Sequence, residues 1–505
     1  MSALPEWLAG LPDADAMRAT DRWAIDDRRI PGLDLMERAG EGLAALVREL
    51  QIGDEPIAVV CGKGNNGGDG YVVARLLREA GRAVRVLTTA PIDELQGDAR
   101  TNAERLPGDP PEPFSAGALE PVALAVDAIL GTGFSGAPRG PAAEAIDVLG
   151  AWGGAVVACD VPSGVDASTG EVQGAAVQAL ATATFGAAKP GLWINPGKAH
   201  AGAVRVVDIG IPPGAPVPPP PVGLIHDAAL LALVPRRRAG WTKFTSGHVL
   251  VAGGARGLSG APCLAAEAAQ RTGAGYVTAC VPAAIQTVCE IRLLEVMTRG
   301  LPDDDGGHTE AGVGAVLDLA ARGGALIVGP GLGRTDGATA FARRLVREAE
   351  VGIVLDADGL NAHAGDLGAL RGRPAPTILT PHEGELGRLL DVDSDTVRAR
   401  RLHHVREAAR AAQAIVVLKG DDTLVAEPGG TVAVSPGASP ALATAGTGDV
   451  LSGVTAAILA RGVEPFAAAC AGVRLHARAG VRAADERGVD GVIARDVIEA
   501  LPRAW

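Results

Sequence analysis

At 505 residues the chain is longer than one hydrophobic core normally serves, so at least two domains are expected and a single small module is excluded. Apolar residues at 47% and charged residues at 21% fit globular domains, while 3% aromatics leave little for stacking on nucleic-acid bases. The formal charge of −13 repels phosphate backbones and anionic lipid surfaces, so neither nucleic acid nor membrane is expected as a partner; a local pocket can still take a small phosphorylated ligand.

In chain order, residues 1–10 hold no basic segment followed by an apolar one, and no stretch approaches the roughly 18 apolar residues of a membrane span. Six cysteines, Cys61, Cys159, Cys263, Cys280, Cys289 and Cys470, form no CxxC pair and read as reduced core thiols. The expectation is a soluble, cytoplasmic protein. Residues 14–51 carry helical periodicity, with Met17, Trp23, Leu35, Met36 and Leu43 recurring among charged positions. Short apolar runs follow at 56–61, 83–87, 122–129, 155–159, 181–185 and 204–209, several separated by helical stretches such as 72–80. Unalternating runs of this length predict buried parallel strands joined by helical crossovers, a Rossmann-like doubly wound α/β sheet.

Gly62-Lys63-Gly64-Asn65-Asn66-Gly67-Gly68-Asp69-Gly70 follows the first run and precedes a helix. Such a loop can converge backbone N–H groups on a phosphate at a helix N-terminus, or be a ligand-free turn; the paired asparagines and Asp69 favour a site. A second GxGxxG, Gly131-Thr132-Gly133-Phe134-Ser135-Gly136, follows the run that carries Asp127. Two such loops on neighbouring strands would line one crevice. The Rossmann cofactor reading is weakened because neither loop is expected in the opening βαβ unit and no acidic strand end falls about 20 residues past the first. Asp160-Val161-Pro162-Ser163-Gly164-Val165-Asp166 sits at another strand end, where Asp160 could relay protons or hold a cation, or simply open an Asx turn. Lys189, in Ala187-Ala188-Lys189-Pro190, reads as a solvated lysine, with anion binding as the alternative.

The combination of Leu35-Met36-Glu37-Arg38-Ala39-Gly40 with these three motifs resembles the NAD(P)H-hydrate epimerase family over residues 1–212. The resemblance implies interconversion of the R and S hydrates of NADH and NADPH (NADHX and NADPHX) at nicotinamide C6. It implies a potassium ion (K+) at Asn66, Asp127 and Ser163, and substrate against Asn65 to Asp69, Gly131 to Gly136 and Asp160. Asp160 is then the candidate proton carrier.

In 212–221 seven of ten residues are proline, a semi-rigid spacer of at most about 31 Å at 3.1 Å per residue. The expected division is a first domain at 1–212, a linker at 213–222 and a second domain at 223–505. Apolar runs at 248–252, 276–281, 325–328, 352–355, 377–379, 414–418 and 423–426 predict a second α/β sheet, and 301–308, with three consecutive aspartates, an exposed loop. Gly329-Pro330-Gly331-Leu332-Gly333 and Asp356-Ala357-Asp358 lie at strand ends. Thr380-Pro381-His382-Glu383-Gly384-Glu385 follows another; His382 and Glu385 could meet ligand, although a turn histidine is more often structural. Lys419-Gly420-Asp421-Asp422-Thr423 offers a lysine to phosphate or a plain hairpin turn, or both. Ala445-Gly446-Thr447-Gly448-Asp449-Val450-Leu451-Ser452-Gly453 opens a helix. There Gly446, Thr447 and Gly448 can face a transferring phosphoryl group and Asp449 can accept a hydroxyl proton, or serve only as an N-terminal helix carboxylate. No Walker GxxxxGK[ST] occurs.

Residues 223–505 resemble the ribokinase-like superfamily, and within it the ADP/ATP-dependent NAD(P)H-hydrate dehydratases. By position the resemblance places Ala261, Gly333, His382 and Asp449 at the hydrate, and Lys419 to Thr423 with Gly448 at the nucleotide, with magnesium (Mg2+) assisting. Ala255, Leu258 and Leu294 depart from the Ser, Met and Pro common in the family. The two domains fused in this order resemble prokaryotic proteins that use ADP, and a homo-oligomer is expected. The competing readings are an ordinary small-molecule kinase and a non-catalytic first domain.

Overall fold

In the computed structural model, which describes residues 4–50 and 53–505, most of the unalternating apolar runs are strands buried on both faces, but the run at 204–209 forms the exposed edge strand Ala203–Val207, which has a neighbour on one side only. In Ile57–Cys61, Val59 and Cys61 join a core with the helices Gly32–Glu49 and Asn65–Glu79, while Ala58 and Val60 join another with the helix Gly140–Trp152. Alternation is absent because each side chain meets an apolar layer. The chain divides into two units, one spanning Gly10–Val222 and the other Gly223–Trp505 together with Leu4–Ala9.

The first unit holds seven parallel strands in the spatial order Glu112–Pro113, Val84–Thr88, Ile57–Cys61, Leu124–Ala128, Ala155–Cys159, Ala181–Phe185, Ala203–Val207. Strand order reverses between Ile57–Cys61 and Leu124–Ala128, and the loops after those two strands diverge to leave a crevice. The Gly62–Gly70 loop does lie in the first βαβ unit of this sheet, between Ile57–Cys61, the helix Asn65–Glu79 and Val84–Thr88, contrary to the sequence expectation. The periodic stretch is two helices, Ala14–Asp26 and Gly32–Glu49; its last residue, Gln51, lies outside the described residues.

The second unit contains an eleven-stranded sheet. Seven parallel strands run Ile415–Leu418, Thr377–Leu379, Gly352–Leu355, Ala325–Val328, His248–Ala252, Tyr276–Pro282, Met297–Leu301. Leu424–Ala426 and Val432–Val434 extend it antiparallel, followed by Val222–Ile225 and Leu8–Gly10. Strand order here switches between His248–Ala252 and Ala325–Val328. The residues expected as an exposed loop at 301–308 instead include a small hairpin, Asp303–Asp304 with Gly307–His308, and Leu301 and His308 are buried because His308 stacks on Phe341. Among the described residues no helix is long and apolar enough to cross a membrane.

Candidate active sites

The crevice of the first unit has a volume of about 1170 Å³ and is lined by Gly62 to Asn66, Asp69, Gly131 to Gly136, Asp160, Lys189 and the helices Ala14–Asp26 and Gly32–Glu49, whereas Gly67 and Gly68, expected against substrate, are buried and do not line it. The glycines are steric requirements: a Cβ on Gly67 would lie 1.9 Å from the Gly62 carbonyl oxygen, and one on Gly131 2.8 Å from Asn66 Oδ1. Leu35, Met36 and Ala39 give the crevice an apolar wall.

Asp160 stands at φ +67°, a left-handed conformation unusual for a non-glycine residue. Its carboxylate is saturated with donors. Oδ1 accepts from Lys189 Nζ at 2.6 Å, Thr184 Oγ1 at 3.3 Å and the Phe185 amide at 3.3 Å. Oδ2 accepts from the Thr132 amide at 3.1 Å and the Thr132 hydroxyl. Burial pushes this carboxyl up, but the Lys189 charge and these hydrogen bonds outweigh it and hold Asp160 below its usual range. Lys189 is 1% exposed and also donates to Thr184 Oγ1 and the Phe185 carbonyl, both at 2.8 Å. The expectation of a solvated lysine is therefore corrected: the turn after Ala181–Phe185 folds its ammonium inward onto the carboxylate. Asp69 and Asp21 share the crevice with this pair. Burial, then the charges of Asp160 and Asp21, push Asp69 well above the ordinary carboxylate range against the opposing Lys189.

Behind the loops, Asp127 is fully buried and accepts from Ser163 Oγ at 2.6 Å, the Ser163 amide at 2.8 Å and the Ile129 amide at 3.3 Å. Burial pushes it up to about 6 although the Ser163 bonds oppose this. All its partners are neutral, and the nearby Asn66 Nδ2 is buried without a partner. A monovalent cation fits a carboxylate, an amide and a serine left in this condition.

In the second unit the strand-end loops converge on Lys419. Its ammonium lies 3.1 Å from Asp356 Oδ1 and 3.6 Å from Glu385 Oε2, and Asp356 Oδ2 accepts from Ser452 Oγ at 2.7 Å. A Cβ on Gly448 would stand 3.5 Å from Lys419 Nζ, so the start of the helix Thr447–Leu459 closes directly over this cluster. Gly446 enters at φ +88°, and the Thr447 hydroxyl ties the turn to the Leu442 and Thr444 carbonyls at 2.8 and 2.9 Å. Burial, then the Asp356 charge, push Asp449 up to about 8 while Lys419 opposes them. Asp356 is a hard oxygen donor of the kind a magnesium ion takes, although Lys419 engages one of its oxygens here.

Two family profiles match the chain, one described as NAD(P)H-hydrate dehydratase over residues 249–503 and one as YjeF-related protein N-terminus over residues 32–191. A bifunctional NAD(P)H-hydrate repair enzyme of Salinibacter ruber is 40% identical, with 97% of this chain and 95% of that protein covered. The chain belongs to the family of bifunctional NAD(P)H-hydrate repair enzymes. The Moorella thermoacetica member is 39% identical over 97% of this chain and 96% of its own. An ADP/ATP-dependent NAD(P)H-hydrate dehydratase of Bacillus subtilis, co-crystallized with ATP/Mg2+, is 29% identical, with a TM-score of 0.47 over 55% of this chain and 96% of its own.

In this repair enzyme the structure brings Asn65, Asn66, Asp69, the Gly131–Gly136 residues and Asp160 to one crevice, and Lys419, Gly448 and Asp449 to one cluster in the second unit. The remaining positions are more varied. Lys419 to Thr423 form the turn between Ile415–Leu418 and Leu424–Ala426, with Thr423 Oγ1 donating to the Gly420 carbonyl at 2.6 Å. Asp421 is exposed, and Asp422 faces inward, paired with Arg401 at 3.0 Å. His382 caps the helix Glu383–Leu390, its Nδ1 accepting from the Gly384 amide at 3.0 Å. Ala261 lies in the first turn of the helix Gly260–Thr272, and Gly333 belongs to the loop after Ala325–Val328, where its amide donates to Asp358 Oδ2 at 3.0 Å. Lys189, Asp21 and the Asp356–Ser452 contact are the additions. Asp356 carried a sequence signal as an acid at a strand end, Lys189 only as an alternative anion binder, and Asp21 none.

Proposed function

We propose that the first unit epimerises the R and S hydrates of NADH and NADPH at nicotinamide C6 and that the second dehydrates the S form with ADP, releasing AMP and phosphate. In the first crevice Asp160, held ionised by Lys189, faces the carbon whose hydroxyl leaves and stabilises the positive charge that develops on C6 and the ring nitrogen. Asn65, Asn66 and Gly131 to Gly136 hold the substrate around it. Asn66, Asp127 and Ser163 would hold a potassium ion, which supplies fixed positive charge beneath the loops.

In the second unit Asp449 takes the proton of the C6 hydroxyl as its oxygen attacks the terminal phosphorus of ADP, and AMP departs. The ring nitrogen then expels phosphate from C6, and loss of a C5 proton restores the C5–C6 double bond. Backbone donors of Gly446 to Gly448 and the Lys419 ammonium face the phosphoryl group, with the rest of the nucleotide along Lys419 to Thr423 and the hydrate against Ala261, Gly333 and His382. Bound Mg2+ beside Asp356 would neutralise phosphoryl charge. The observation that carries this half is Asp449, raised to about 8 at the first turn of Thr447–Leu459 beside Lys419. ADP is preferred to ATP because a longer polyphosphate displaces the reacting phosphorus, and about 1 Å of misplacement costs about 10²-fold. The six buried free thiols suit a reducing cytoplasm, and we place the enzyme there as a homo-oligomer.

Purified R and S hydrates, incubated with the chain, magnesium and either ADP or ATP, test the reading. Return of NADPH absorbance from both hydrates with ADP, and AMP as product, is expected. An accumulating phosphorylated product without NADPH would make the second unit a kinase, and R hydrate that never enters the pool would remove the epimerase.

A further inference from the structure

The epimerase crevice holds two carboxyl groups in opposite condition. Asp160 has five donors on its two oxygens, so it has no lone pair free to take a proton without losing a hydrogen bond. Asp69, partly buried in the second turn of the helix Asn65–Glu79 and lining the same crevice, has no hydrogen-bond or ion-pair partner for its carboxyl group among the described residues. The charged groups nearest it are Asp21 on the helix Ala14–Asp26 and the Asp160–Lys189 pair; Asp98 on the helix Gly97–Glu104, Arg18, Lys63, Glu94 and Arg139 also line the crevice, and the Cys159 thiol is close. The packed helix Gly32–Glu49 offers Glu37, which Arg75 neutralises at 2.6 Å.

We propose, on the epimerase reading above, that Asp69 is the residue that moves the proton, and that Asp160 serves as a fixed anion. Neutral Asp69 donates its proton to the C6 hydroxyl as the C6–O bond breaks. The electron pair of that bond leaves with oxygen as water, and the ring nitrogen lone pair forms a double bond to C6. Water then adds to the opposite face of C6, and its released proton returns through crevice water to the Asp69 carboxylate, so that the hydrate is inverted and the enzyme restored. The like charges of Asp21 and Asp160 favour the protonated form of Asp69 that this step needs. A locked Asp160 beside an unpartnered Asp69 is the division of roles expected where two carboxyls are driven apart by their surroundings.

The test is the pH profile of R-to-S conversion, followed by NMR on the full chain without nucleotide, for the wild type, Asp69→Asn, Asp69→Glu and Asp21→Asn. The wild-type kcat should fall on the alkaline side as Asp69 loses its proton. Asp69→Asn should lose about 10²- to 10⁴-fold in kcat with little change in KM and show a flat profile. Asp69→Glu should recover part of the rate with the alkaline limb restored. Asp21→Asn, which removes a like charge, should move that limb to lower pH. A wild type that interconverts the hydrates while Asp69→Asn keeps its rate, or keeps the alkaline limb at reduced rate, overturns the role of Asp69 alone. A wild type without interconversion at any pH overturns the epimerase reading itself.

Discussion

Asp449 combines burial, which keeps it from being too acidic, with neighbours that leave its carboxylate able to accept a proton. Asp449→Asn keeps the shape of the group and removes its basicity, so S-hydrate turnover with ADP should fall about 10²- to 10⁴-fold while R-to-S conversion persists. Turnover within about tenfold of wild type would remove the assignment. A second residue-scale consequence is acid lability. Burial pushes His248, His308 and His476 down to about 4. The unfolded chain takes up protons from about pH 6.5, which these folded sites refuse until about pH 4, so their stability is fully present above about 6.5 and lost as pH falls through that window. Melting temperature should decline between pH 6.5 and 4, and His248→Phe, which keeps the stacking on Tyr276 at 4.1 Å, should make the decline shallower. A flat profile would contradict this. The place of Asp449 at a helix start was legible in the sequence because GTGD precedes a helical stretch. Lys189 was not, since only a strand end at Phe185 and a turn at Pro190 place its ammonium on Asp160.

Elements were legible in proportion to how many residues report on them. The strands Ala155–Cys159, Ala181–Phe185 and Ala325–Val328 coincide with their apolar runs because both faces are buried and every residue carries the signal. Leu8–Gly10, Glu112–Pro113 and Val432–Val434 span two or three residues, too few for any period, and Met297–Leu301 is a partly exposed edge. The strand Leu8–Gly10 matters most, because the segment Leu4–Ala9 folds with the second unit. Trp7 is 6% exposed and packs against Phe466 with ring centroids 5.6 Å apart. Trp7→Ala should therefore destabilise the second unit by about 3–5 kcal/mol. The measurement is denaturant unfolding with S-hydrate turnover as the probe. An unshifted midpoint would show that this segment adds nothing to the second unit's stability.

At the scale of the whole chain, two sheets each carry a cluster of polar residues at the ends of their parallel strands, and the value of joining them lies in the substrate. Hydration at C6 yields both epimers, whereas the second unit is proposed to consume one. With the wild type, magnesium and excess ADP, a mixture of R and S hydrates should be consumed to completion, the R form draining through the S form. Asp160→Asn removes the anion proposed to face C6 and leaves Lys189 buried without its partner, so epimerisation should fall by about 10²- to 10³-fold. Consumption of the same mixture should then be biphasic: a fast phase equal to the S fraction at the wild-type rate, and a slow phase set by spontaneous interconversion. Lys189→Met should give the same two phases, because it leaves the carboxylate unneutralised in the same place. A single fast phase in Asp160→Asn would mean that R hydrate reaches the second site without the first, and the chain's two sites would then be independent enzymes rather than successive steps.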